Sequence, residues 1–349
     1  MMSGQLLTDR YMAHGYGQRD EAVLNAPRSP RIGYHAPLDG AASLLGKNTL
    51  AAFGFGEEHA HLPEDPRCLQ VALRSLHTSA FYETWEVDGP VRHGRDGDVR
   101  WSRGDGWLFA AVEADEHTHD GPRETARHIY SRLAGFLAEQ PENHVQRLWN
   151  YLGDINAGDG DEERYKLFCQ GRADGIGDMF STGFPAATAI GHHADRHLMQ
   201  VYLLAGGAPG LRVENPRQVS AWEYPRQYGP TPPSFSRATL LGSGDMLAIS
   251  GTAAVIGHAS VHEGNPRAQL DETLANLNAL LASAGIGSGF DAHSPLKIYV
   301  RHREHLDLLG AALDERLPGV PKLFLHGDIC RRELLLEIDG WRRVADAKA

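Results

Sequence analysis

Trp107-Leu108-Phe109-Ala110-Ala111-Val112, followed by Pro122 and then Ala126, Tyr130, Leu133 and Leu137 at helical spacing, is a strand leading into an amphipathic helix. The chain repeats this plan. Leu247-Ala248-Ile249-Ser250 is followed by Asn265-Pro266 and by Leu270, Leu274, Leu277 and Leu281, each helical position 144 residues beyond its counterpart. Asp120 ahead of Gly121-Pro122 is the start signal of the first helix, and the second begins at Asn265-Pro266. Each helix leads to a strand (148–152; 296–300), a second helix (about 162–175; about 305–317) and a final strand pair holding 198–204 in one case and 334–338 in the other. A shared order of elements over about 100 residues weighs more than matching apolar positions, which any two amphipathic helices share by chance.

A β-α-β-α-β-β unit with one helical layer over a mixed sheet is an α+β architecture. One unit alone leaves a sheet face bare, so the two are expected to pack face to face, with any site where they meet. Residues 1–65, rich in Gly and Pro (Ala26-Pro27-Arg28-Ser29-Pro30; Gly54-Phe55-Gly56), are expected to form an irregular wrapping segment with short strands. The first unit then spans 66–212, a joining loop 213–240 and the second unit 241–349.

With 349 residues, 42% hydrophobic and 23% charged, the chain can bury a sizeable core. No apolar run approaches the roughly 20 residues that span a bilayer, and Met1-Met2-Ser3-Gly4-Gln5 lacks a basic stretch with a hydrophobic signal core, so a cytoplasmic location and no membrane partner are expected. Cys68, Cys169 and Cys330 are odd in number and far apart, which argues for reduced thiols. A net charge of −11 disfavours nucleic acid as a partner; a small anion would need a local cluster of arginines.

The loop from Ser220 to Arg237 joins the two units and holds Tyr224, Arg226, Gln227, Tyr228 and Arg237 among four prolines. Guanidinium forks and tyrosine hydroxyls suit a dicarboxylate; the competing reading is a rigid linker with solvated charges. Arg164 and Arg172 lie eight residues apart on the first unit's second helix, either facing an inter-unit cleft together or paired on the surface with Glu162 or Glu163. In the C-terminal stretch from His326 to Gly340, Leu335, Glu337 and Asp339 fall on one strand face and Leu334, Leu336 and Ile338 on the other. Burial at Glu337 would raise its pKa and keep a proton available at neutral pH, unless an arginine pairs with it.

His192-His193-Ala194-Asp195-Arg196-His197 and His59-Ala60-His61 lack the supporting carboxylate or thiolate spacing of a metal site, so no metal is assigned. Gly285-Ile286-Gly287-Ser288-Gly289 follows a helix and precedes a strand, the reverse of a dinucleotide loop, and is better explained as a helix stop.

Several of these segments resemble chorismatases: Arg147 to Asn156, Arg164 to Arg172, Phe184 to Gly191, Trp222 to Arg237 and Ile249 to His258, in order from about residue 100 to the C-terminus. The second unit alone also resembles the RidA/YjgF (chorismate-mutase-like) fold. The resemblance implies loss of pyruvate from chorismate without metal or organic cofactor. It makes Glu337 the catalytic acid and places Tyr151, Arg164, Arg172, Tyr224, Arg226, Gln227, Tyr228 and Arg237 in motifs expected to contact substrate. Cys330, seven residues before Glu337, resembles the hydroxybenzoate-forming type, which implies 3-hydroxybenzoate as product, with 4-hydroxybenzoate or the dihydroxycyclohexadiene carboxylate as the alternatives; a second discriminating position falls near Gly242 to Gly244. Two other readings stay open, a RidA-like imine deaminase and a noncatalytic sensor of aromatic dicarboxylates. A monomer is expected, because two units in one chain can complete their interface internally.

Overall fold

The computed structural model describes residues 27–36, 41–56, 62–76 and 81–344, and of Phe81 the backbone only. The strands preceding the first helix are β1 (Arg31–His35), β2 (Thr49–Phe55), β3 (Cys68–Val71), β4 (Arg74–Ser75), β5 (Phe81–Glu86), β6 (Arg92–Asp96), β7 (Val99–Gly104) and β8 (Trp107–Asp115). Then come α1 (Pro122–Ala138), β9 (His144–Gly153), α2 (Arg164–Gly175), β10 (Ala186–His192), β11 (Leu198–Gly206), β12 (Leu211–Val213), β13 (Ala238–Leu240) and β14 (Met246–Thr252). The remainder is β15 (Val255–Ile256), β16 (Ala259–Ser260), α3 (Pro266–Ser283), β17 (Leu296–Val300), α4 (Leu306–Arg316), β18 (Lys322–His326), β19 (Asp328–Ile329) and β20 (Leu336–Arg343).

The fold is α+β, built on two seven-stranded sheets ordered β19-β10-β9-β11-β8-β7-β6 and β4-β18-β17-β20-β14-β13-β12. Position by position the two orders correspond, and each contains one parallel pair, β10 with β9 and β18 with β17. The final strands do not pair with each other as expected. After its helix each of β10 and β18 lies parallel to the strand before that helix, and the chain then crosses back to that strand's other side, so β9 separates β10 from β11 and β17 separates β18 from β20.

A third, four-stranded sheet, β1-β5-β2-β3, runs past residue 65 to Glu86, so the first large sheet's own strands begin at Arg92 rather than near residue 66. All three sheets turn one face inward. On β8, Leu108, Ala110 and Val112 pack under α1 and α2 while Trp107, Phe109 and Ala111 join the inner core, the two-residue period of a strand with both faces covered. Trp85, Trp149 and Trp341, one from each sheet, meet at ring separations of 5.4, 5.8 and 6.1 Å. Helices α3 and α4 cover the outer face of the second large sheet.

The helix starts fall at Pro122 and Pro266. Asn265 caps α3 by accepting from Ala268 N, whereas Gly121, not Asp120, is the cap residue of α1, and it makes no side-chain cap bond. Gly285 ends α3: its N–H and that of Ile286 return to the carbonyls of Ala282 and Leu281, the helix stop read from the glycine run. Helix α2 packs tightly on α1 because Gly171 and Gly175 have no side chain; a Cβ on Gly175 would lie 2.5 Å from the Arg127 carbonyl oxygen. No helix among the described residues is long and apolar enough to cross a membrane.

Candidate active site

Where β10 meets β14, backbone and side chains of the two large sheets interlock. The ladder between β14 and β20 pairs Ile249 with Gly340 and Thr252 with Ile338, leaving Ser250 and Gly251 opposite the single residue Asp339. A bulge of this kind re-aims the backbone. Gly251 N donates to Thr188 Oγ1 on β10 at 3.0 Å, and Ser250 Oγ accepts from Ala187 N at 2.9 Å. A cavity of about 230 Å³ opens beside this junction, walled by β10, the bulge, one face of α2, the loop 224–237 and the segment 330–337.

Glu337 reaches the cavity from the inner face of β20 and is 5% exposed. Burial, reinforced by the neighbouring Asp339 carboxylate, pushes its pKa up to about 8 against the pull of Arg147, Arg237 and Arg331. Among the described residues no hydrogen bond or ion pair engages its carboxyl group. It lies against Gly251, where any Cβ would overlap Glu337 Oε1. Cys330 lines the same wall, its thiol pushed up to about 12 by burial and by Glu337, so it is a neutral, small, polarisable surface and not a thiolate nucleophile.

Three guanidinium groups from three segments line the cavity with this acid. Arg172 on α2 donates to Ser234 O at 2.7 Å and stacks over Tyr130. Arg237 donates to Val219 O and to Tyr224 Oη, both at 2.7 Å. Arg331 donates to His258 O at 2.8 Å and lies 4.0 Å over the Tyr228 ring. None of the three is in an ion pair among the described residues, although the chain as a whole carries −11. Their charge is free for a ligand.

Of the residues anticipated as substrate contacts, Arg172, Tyr224, Gln227, Tyr228 and Arg237 line the cavity with Glu337 and Cys330. The structure does not bring Arg164, Tyr151 or Arg226 there. Arg164 opens α2 and turns back to Glu116 Oε1 (2.6 Å) and to the carbonyls of Gly153 and Arg196, because a buried guanidinium needs these partners. Tyr151 points into the inner core, its hydroxyl 3.1 Å from that of Tyr299 and 3.3 Å from that of Tyr202. Arg226 is solvent-exposed and forks onto Asp161 at 2.6 and 2.9 Å. Sequence reasoning missed Arg331, Thr188, Asn150 and Gly251; each stood inside a segment already singled out, with Arg331 adjacent to Cys330. His192 is buried, with Nε2 on Leu198 O, and His193 approaches Asp328 at 3.8 Å. His59 and His61 lie outside the described residues, and among the described residues no three His, Cys, Asp or Glu side chains are grouped to hold a metal ion. All three cysteines are free.

A buried carboxylic acid of raised pKa, enclosed with unpaired guanidinium groups and aromatic hydroxyls, suits a small, anionic ligand. A family model described as "Chorismatase FkbO/Hyg5-like, N-terminal" matches residues 83–205. A chorismatase of Streptomyces hygroscopicus is 33% identical over 316 residues, covering 87% of this chain and 90% of that one. A 3-hydroxybenzoate synthase of the same organism is 32% identical, covering 85% and 92%. A chorismatase crystal structure superposes with a TM-score of 0.80 at 30% identity, over 91% of this chain and 99% of the other. The chain belongs to the chorismatase family.

Proposed function

We propose that this enzyme converts chorismate to pyruvate and 3-hydroxybenzoate, with Glu337 as the general acid. The reading is carried by one observation: the acid side chain held neutral by burial shares its cavity with Arg172, Arg237 and Arg331, none of them ion-paired. Chorismate presents two carboxylates, which suit guanidinium forks and the hydroxyls of Tyr224 and Tyr228. Delivering the Glu337 proton to the enolpyruvyl methylene carbon generates an oxocarbenium-like centre, and an acid already aimed at that carbon avoids the cost of bringing one there. The ring 4-hydroxyl oxygen, rather than water, then attacks ring carbon C3, whose bond to the side-chain oxygen breaks so that pyruvate leaves; the resulting epoxide opens at C4 and, with loss of the C3 proton, gives 3-hydroxybenzoate. Together the two products carry the atoms of chorismate, so no water is consumed overall.

Within the same proposal, Gln227 contacts substrate at the cavity mouth, and Arg164, Tyr151 and Arg226 act through the elements they brace rather than by touching substrate. The matching strand orders of the two large sheets support reading them as two RidA/YjgF-like units, with 213–240 as the joining loop. Because the inner faces are covered within one chain, we assign a monomer, working in the cytoplasm. Incubation of the purified protein with chorismate, resolving products against 3-hydroxybenzoate, 4-hydroxybenzoate and the dihydrodiol acid, tests the product. Glu337→Gln keeps the shape and removes the proton; it should bind chorismate without releasing pyruvate. Turnover surviving in that variant would overturn the assignment of the acid.

A further inference from the structure

Two residues beyond Glu337, on the same face of β20, Asp339 is 1% exposed. A single oxygen, Oδ2, accepts from Thr188 Oγ1 (2.8 Å), Tyr299 Oη (2.8 Å) and Trp149 Nε1 (3.0 Å), and pairs with Arg147 at 3.1 Å. These donors come from β9, β10 and β17 and converge as they would on a carboxylate. Its other oxygen, Oδ1, is buried without a partner. Thr188 Oγ1, in turn, accepts from Gly251 N, the residue against which Glu337 lies. One buried anion is thus tied both to the strand carrying the acid and to the bulge behind it.

We propose that Asp339 is a positioning residue for proton transfer, acting on Glu337 through the strand they share and through the Thr188 contact to the bulge behind the acid. The inference rests on the reading of Glu337 as the acid. The charged and titratable groups that act on Glu337 or line its cavity are Asp339 on its own strand, Arg147 from β9, Glu163 and Arg172 at α2, Arg237 ahead of β13, and Cys330, Arg331 and Glu333 from the segment after β19. Arg147 pairs with Asp339, and Arg237 and Arg331 are held by backbone carbonyls and by tyrosine side chains. Burial acts most strongly on Glu337, and Asp339 adds to it as a like charge, which disfavours ionisation of its neighbour.

The test is the pH dependence of kcat/KM for pyruvate release in Asp339→Asn. The amide preserves shape and an acceptor for the four donors but carries no charge, so the alkaline limb of the profile should move toward acid by about one pH unit, with activity on the acid side retained. A purely structural role would lower activity at every pH and leave the limb where it is, and that result would overturn the proposal. Should Asp339→Asn fail to fold, Tyr299→Phe carries the test. It removes one donor and keeps the charge, so the less shielded anion should push the limb toward alkaline pH, and an unmoved limb would again overturn the proposal. Glu337→Gln run alongside separates the two ideas. Turnover surviving there removes the acid itself, whereas a dead Glu337→Gln with an unmoved limb in the other variants removes only the role of Asp339.

Discussion

Replacing Gly251 by alanine adds one methyl group at the closest approach in the site. Its Cβ would sit 2.6 Å from Cδ and 3.3 Å from Cγ of Glu337 and would overlap Oε1. Ordinary carbon contacts begin near 3.4 Å, so the carboxyl must retreat by roughly 1 Å. It can do so because it borders an open cavity and no hydrogen bond ties it down. Folding should therefore survive, with a thermal midpoint near the parent's. Catalysis should not: displacing a reacting group by about 1 Å costs on the order of 100-fold in rate, equivalent to roughly 2.7 kcal/mol in the barrier. Steady-state pyruvate release from chorismate measures kcat, and equilibrium binding of chorismate confirms that the arginines still hold it. A kcat within about threefold of the parent would refute the argument that Gly251 sets the position of the acid.

Three further outcomes follow from the same geometry. Glu337, with its pKa raised from 4.5 to about 8 in the folded protein, binds its proton more tightly there than in the unfolded chain; stability from this group is full below pH 4.5 and declines through pH 8, at up to roughly 1.4 kcal/mol per pH unit. Glu337→Gln should therefore unfold at higher urea than the parent at pH 8, the gap closing near pH 5, and a pH-independent difference would contradict the raised pKa. Lys297 and Glu83 form a 2.7 Å ion pair that is 1% and 0% exposed, linking β17 to β5; Lys297→Met leaves a buried lone carboxylate and should lose about 3–5 kcal/mol in denaturant unfolding, most of it regained in the double variant with Glu83→Gln. Arg331→Met should raise KM about 10- to 100-fold, the worth of a charge-assisted hydrogen bond of about 1.5–3 kcal/mol, with kcat changed far less; an unchanged KM would mean that Arg331 does not meet the substrate.

Much of this was legible in the sequence. Helix starts at Pro122 and Pro266, the class of fold and the face shared by Glu337 and Asp339 all depend on local periodicity, which a sequence carries directly. Partner choice does not. Arg164 and Arg172 look alike on one helix, yet Glu116, 48 residues away, captures the first and leaves the second for the cavity. Tyr151 sits in a chorismatase-like motif, but a strand's two-residue period sends its ring to the inner core while Asn150 beside it lines the cavity. The bulge at Ser250 and Gly251 is a register event between β14 and β20, invisible until both strands are placed. The same holds for the crossing of the chain over β9 and over β17, since adjacency in sequence is a weak guide once a parallel pair has formed.

The three-walled interior has a consequence for how chemistry is distributed. Two walls share a strand order, yet the third, the small N-terminal sheet, is unlike them, and its seam with the second large sheet is filled by Trp85 and by the pair of Glu83 with Lys297. The seam between the two similar walls holds the acid and the arginines. A ring of identical walls would have to use the same side chains at every seam, so each would be a compromise between cohesion and reactivity. Breaking that equivalence lets one seam specialise in holding the interior shut while another tolerates an unpaired acid, a cavity and arginines without counter-ions.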